Sequence, residues 1–171
     1  GGIFDVGVPS LTVGSRGLTG VEVTVRGANA DLHSGMYGGA VANPLMALSH
    51  IVSSLQDENG VVQVEGFYDG IPELTAGERE AIASVPKVEG ELASLGLNEW
   101  WGDPAYTPDE RRVVRPTLEI NGMWGGYQGA GIKTVLPSEA FAKITCRLVE
   151  GQDPADVASK LERHILNAAP Q

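Results

Sequence analysis

Cysteine is all but missing: Cys146 is the only one in 171 residues, so no internal disulfide can form and the fold must rest on its own core. Cations are scarce as well. Lys and Arg number 12 against 22 Asp and Glu, a formal net charge of -10, and nucleic-acid affinity needs clustered cations that these dispersed ones do not supply. No apolar run approaches the ~20 residues that cross a bilayer, and the first residues lack the basic start and apolar stretch of a secretory signal. These absences predict a cytosolic chain with neither nucleic acid nor membrane as partner. Histidine is confined to His33, His50 and His164, none in H-x-x-x-H, H-E-x-x-H or H-x-D spacing, and no Glu-Glu pair occurs. The metal-ligand patterns are therefore lacking, as is the G-x-S-x-G elbow of a serine hydrolase. An initiator Met is missing too: the chain opens on Gly1-Gly2-Ile3 and ends on Pro170-Gln171, which reads as a piece of something longer, with residues 1–15 as linker.

What is present is an ordinary globular composition, 42% hydrophobic, at a length that suits one domain with a self-supporting core. Val21, Val23 and Val25 alternate with Glu22, Thr24 and Arg26, the period of a half-buried strand. Asn43-Pro44 is an N-cap and first-turn pair, and Leu45, Leu48, Val52 and Leu55 continue at helical spacing toward Gly60. Val61–Glu65 predicts a brief strand, and Gly66-Phe67-Tyr68-Asp69-Gly70 a loop. Thr75 with Glu78 and Thr107-Pro108 with Glu110 form capping boxes, and Lys87–Leu95 predicts a helix ending at Gly96. Residues 61–116 thus form a helical insertion, anchored in part by Trp100 and Trp101.

Leu118 and Ile120 mark another strand, and Ala142, Ile144, Cys146 and Leu148 a further one. A glycine-rich connection, Gly122–Pro137, joins them. Asp153-Pro154 opens a last helix with Val157, Leu161 and Ile165 on its inner face. Strands with one apolar face and helices with one apolar stripe bury each other in two layers. The expected fold is α+β: a ferredoxin-like sandwich, its sheet mainly antiparallel, its helices on one face, its closing strand missing.

Three constellations could carry chemistry. Asn29 to Gly39 sets His33 among glycines just before a helix, where an imidazole can donate to an anion or simply satisfy a loop carbonyl. Asp31, His33 and Ser34 are too close along an extended loop to converge as a triad. Gly129-Ala130-Gly131-Ile132-Lys133-Thr134 lacks the spacing of a phosphate loop and remains a flexible loop ending in donors. Arg147 lies on a strand opposite an apolar face, suited to a carboxylate or to a surface Glu.

Together these blocks resemble the middle domain of the di-zinc aminoacylase and carnosine dipeptidase family, which includes carboxypeptidase G and succinyl-diaminopimelate desuccinylase. The segments that carry the resemblance are Arg16-Gly17-Leu18 with Val21 to Gly27, Asp31-Leu32-His33-Ser34-Gly35, Gly66 to Gly70, Gly131 to Pro137, and Ile144 to Leu148. The Gly66 to Gly70 block is most similar to the dipeptidase branch. The resemblance implies a lid and dimerisation domain, residues 16–171, inserted in a catalytic domain, and a homodimer acting on a peptide or N-acyl amino acid. It further implies that His33 stabilises the oxyanion across the dimer and that Thr134 and Arg147 bind the substrate carboxylate. Two zinc ions, their bridging carboxylate and the general-base Glu would belong to the other domain, so the chain alone is expected to hydrolyse nothing. Two alternatives remain open: a free-standing ferredoxin-like regulatory module that binds a small molecule, and a purely structural interaction domain.

Overall fold

The computed structural model describes residues 14–170, so all but the end of the expected linker lies outside the described residues. The strand β1, Gly17–Arg26, points Val21, Val23 and Val25 into the core. After it come β2 (Leu32–His33), the short helix α1 (Ser34–Tyr37) and α2 (Pro44–Ser53). The insertion contributes α3 (Ala76–Ala83), α4 (Glu91–Ser94) and α5 (Pro108–Val113), and the chain returns through β3 (Thr117–Gly125), β4 (Val135–Leu136), β5 (Glu139–Leu148) and α6 (Pro154–Ala168).

β5 is the middle of a three-stranded antiparallel sheet of order β1-β5-β3. Its alternation is complete: Ala140, Ala142, Ile144, Cys146 and Leu148 are buried, while Phe141, Lys143, Thr145 and Arg147 take the opposite face. Helices α2 and α6 cover the buried face. In α6 the Asp153 carboxylate accepts from Ala155 and Asp156 N–H at 2.9 Å, and Val157, Leu161 and Ile165 form the inner stripe. The arrangement is the expected α+β two-layer one. Among the described residues no strand follows α6, and no helix is long and apolar enough to cross a membrane. Cys146 lies inside the core, and burial pushes its thiol up to about 11, which leaves it inert as a nucleophile at neutral pH.

Several boundaries depart from the sequence-based expectation, each for a local reason. Helix α2 stops at Ser53 rather than near Gly60. The Ser53 and Ser54 hydroxyls donate back to the His50 and Ile51 carbonyls, and Asp57 accepts the N–H groups of Asn59 and Val61, turning the chain. Val61–Glu65 is not a strand but a single bridge, Gln56↔Val62. Val62 and Val64 are buried as the alternation suggests, yet the Val62 N–H donates to the Tyr68 hydroxyl and no neighbouring strand runs alongside. The helix expected over 87–95 shrinks to Glu91–Ser94 because Gly90 stands before it at φ +73 and offers no side-chain cap. β3 in turn runs on through Gly122 to Gly125 after a bulge at Asn121, so the start of the glycine-rich connection is sheet.

Both capping boxes form. Glu110, 3% exposed, is held by Thr107 and by Arg79 at 2.8 Å. The Gly66–Gly70 loop closes onto the turn before α6. Lys160 Nζ donates to Gly66 O at 2.9 Å, and Gly70 meets Gly151 backbone to backbone, where a Cβ on Gly70 would lie 2.8 Å from the Gly151 oxygen. This block thus ties the insertion to α6 and to the turn before it.

Candidate functional site

A second, two-residue ladder positions His33. β2 pairs with β4 through Leu32↔Leu136 and His33↔Val135, and Ser34 N–H donates to Thr134 O at 3.1 Å. The Asp31 carboxylate fastens the pair, its Oδ1 accepting from Ser138 N–H at 2.8 Å and from the Ser138 hydroxyl at 3.1 Å. Asp31 therefore faces Ser138 and not the imidazole, so no triad forms. The ring itself is exposed. Gly35 N–H donates to its Nδ1 at 2.9 Å, and its Nε2 lies 3.4 Å from Thr134 Oγ1. Two hydrogen-bonding tips, an imidazole nitrogen and a hydroxyl, thus stand side by side at the surface. The flanking segments expose Met36, Tyr37, Tyr127 and the 97% exposed Ile132, with Lys133 and Asp31 among them.

Hydrogen bonds from the Ser138 N–H and hydroxyl hold the Asp31 carboxyl below its ordinary range, with help from Lys133. Because the folded value is the lower one, the tether is complete above the ordinary carboxylate value of about 3.9 and is lost as pH falls through the folded value. The Ser138 amide resonance should accordingly titrate with a midpoint below that of a free Asp and cease to titrate in Asp31→Asn. A midpoint at the ordinary value would show that the tether does not hold in solution.

Arg147 lies elsewhere. It pairs across the sheet with Leu18 on one side and Thr117 on the other, exposed on the face that α2 and α6 leave open. Other cations of this face are paired, Lys143 with Glu22 at 3.0 Å and Arg26 with Glu139 at 2.9 Å. Among the described residues no carboxylate pairs with Arg147. Its neighbour is Arg16, whose guanidinium is lowered by partial burial and by the charge of Arg147, with Glu119 opposing. Two cations near one another form a natural seat for an anion. Arg16 was not singled out as a site residue from sequence, and nothing in its spacing marks it; only the β1–β5 register brings it beside Arg147.

β5 carries the chain from Ser138, beside Asp31, to Arg147, about 30 Å at a strand rise of roughly 3.4 Å per residue. The structure therefore brings His33 and Thr134 together and holds Arg147 far from both. The remaining histidines lie away from His33 and Thr134. His164 on α6 bonds to Ser54 Oγ at 3.0 Å, and His50 lies exposed on α2. Among the described residues no group of three or more His, Cys, Asp or Glu could hold a metal ion. A cavity of 520 Å³ lies between Arg16, Ile71 and Val149, and another of 650 Å³ lies within the insertion against Trp100; neither is lined by His33, Thr134 or Arg147.

Compared with known families, residues 13–171 match the M20 peptidase dimerisation domain. The chain belongs to that family. The dimerisation domain is 32% identical over 163 residues to a Cys-Gly metallodipeptidase of Schizosaccharomyces pombe, covering 92% of this chain and 33% of the relative. It is 29% identical to the human Beta-Ala-His dipeptidase, covering 92% and 31%. Among solved structures, an M20 family metallo-carboxypeptidase from Sulfolobus solfataricus superposes with a TM-score of 0.88 at 38% identity, over 98% of this chain and 44% of that one. Human carnosine dipeptidase 1 superposes with a TM-score of 0.84 at 29% identity, over 94% and 34%. The dimerisation domain thus spans about a third of the curated relatives it matches.

Proposed function

We propose that this dimerisation domain is the lid of a dipeptidase-like metallopeptidase and supplies residues to two active sites at once, His33 and Thr134 to a partner protomer and Arg147 to its own. The separation along β5 carries the reading. A dipeptide spans at most about 7 Å, so one substrate cannot touch both ends of the sheet within one protomer. If both ends serve one substrate, two protomers must supply them, which a two-fold homodimer does. The exposed apolar side chains around His33 suit a surface that a second copy covers.

In this reading His33 Nε2 donates to the carbonyl oxygen that turns negative as an amide is attacked, where a placed donor contributes most. The Thr134 hydroxyl and the planar fork of Arg147 hold the terminal carboxylate of a peptide or N-acyl amino acid. Two zinc ions belong to a separate catalytic domain, in keeping with the metallodipeptidase relatives and with described residues that do not fit a metal, and the chain by itself hydrolyses nothing. Residues 16–171 act as one lid with 61–116 inserted. The parent is cytosolic, which a lone, buried thiol suits. Family membership and the metallodipeptidase relatives favour this lid over a free-standing regulatory module.

Arg147→Ala in the full-length polypeptide tests the carboxylate role. Losing charge-assisted hydrogen bonds of about 1.5–3 kcal/mol should raise KM for dipeptides roughly 10- to 100-fold. Amidated substrates should be nearly unaffected. An equal effect on both substrate types would refute carboxylate recognition.

A further inference from the structure

The seat of the His33 ring fixes its proton as well as its place. An imidazole nitrogen that accepts from a backbone N–H carries no proton. Gly35 N–H donates to His33 Nδ1 at 2.9 Å, a distance typical of such bonds. In the neutral ring the proton then sits on Nε2, the tip beside Thr134 Oγ1. We infer that the neutral His33 ring is locked as its Nε2–H tautomer, with its hydrogen-bond donor at the tip beside Thr134, and that Gly35 is the positioning residue that sets the lock.

This is the reverse of a triad histidine. There a carboxylate accepts from Nδ1–H, which leaves Nε2 free to act as a base. Here the only polar groups bonded to the ring among the described residues are the Gly35 N–H and the Thr134 hydroxyl. The nearby charges point elsewhere: Asp31 bonds to Ser138, and Lys133 lies over the Tyr127 ring at 5.7 Å. His33 in this seat donates at Nε2 and cannot act there as a general base.

The seat exists because residue 35 has no side chain. A Cβ there would lie 2.7 Å from His33 Cε1 and 3.0 Å from Nδ1, so the ring fills the space a side chain would take. Gly35 is absent from the positive-φ glycines, so its backbone would accept alanine and only the ring would have to move. The tautomer follows from this geometry alone; its consequence for catalysis rests on the lid reading above.

Long-range ¹⁵N–¹H spectra of the ¹⁵N-labelled 171-residue chain, at a pH of about 9 where imidazoles are neutral, read the tautomer directly. The His33 signals are assigned by their loss in His33→Gln. The expected pattern is a protonated Nε2 and an unprotonated Nδ1. A protonated Nδ1, or two averaged nitrogens as in free imidazole, would overturn the inference. In Gly35→Ala the His33 pattern should move to the averaged one while His50 and His164 keep theirs; a folded variant with the pattern unchanged would remove Gly35 as the positioning residue. Should that variant not fold, the spectrum of the unaltered chain still decides the tautomer. An Nε2–H pattern combined with turnover indifferent to His33 would sink the lid reading and leave the tautomer standing.

Discussion

His33→Ala in the full-length polypeptide is expected to lower turnover by about 10²–10³-fold, the usual loss for one oxyanion donor, with metal content and dimerisation unchanged. The size follows from where the group acts. A donor held in place before the reaction costs no reorganisation when charge develops, and His33 is held at both ends of its ring, by Gly35 N–H and beside Thr134. Dimerisation should survive because the β2–β4 ladder that carries His33 is built from backbone and truncating one side chain leaves it in place. KM should change far less than kcat, since the interaction strengthens only as the carbonyl oxygen becomes negative. Turnover within threefold of the parent would mean that His33 does no chemistry and would favour a purely structural domain.

Phe67→Ala should destabilise the chain by about 3–5 kcal/mol, measured by urea unfolding. Phe67 is 1% exposed and packs edge-on to Tyr68 at 5.2 Å. Its carbonyl accepts from Gln152 at 2.7 Å on the turn before α6. The ring belongs to the same core as Leu48, Ile144 and Leu161, so its loss leaves a cavity where the insertion meets both helices and sheet. A loss under 1 kcal/mol would mean that the Gly66–Gly70 block is not part of the cooperative core.

The valine alternation of β1 and the Asp153-Pro154 start of α6 were legible because each is a local pattern with one apolar face to bury. Val61–Glu65 misleads for the same reason. Its alternation reports burial correctly, but a strand also needs a partner, and the backbone there bonds to Leu55 and Tyr68 instead. Gly122 and Gly125 read as loop, yet glycine is compatible with pairing when the neighbour is a well-formed central strand such as β5. At the candidate site, resemblance supplied His33, Thr134 and Arg147 by name. Their distribution was not legible, because a ladder of two residues joins segments about a hundred positions apart and leaves no periodic trace. Gly35 counts in the sequence only as one of the glycines around His33; in the structure it makes room for the ring of that residue.

The division of labour between protomers is tested most directly by mixing two impaired variants of the full-length polypeptide, His33→Ala and Arg147→Ala, under conditions that allow subunit exchange, and assaying at substrate concentrations well below KM, where both are slow. If one protomer lends His33 to the site where the other supplies Arg147, each mixed dimer regains one intact site. Random exchange of equal amounts should then restore about one quarter of the wild-type rate at that substrate concentration. Turnover no higher than the sum of the separate variants, with mixed dimers demonstrably formed, would contradict the account.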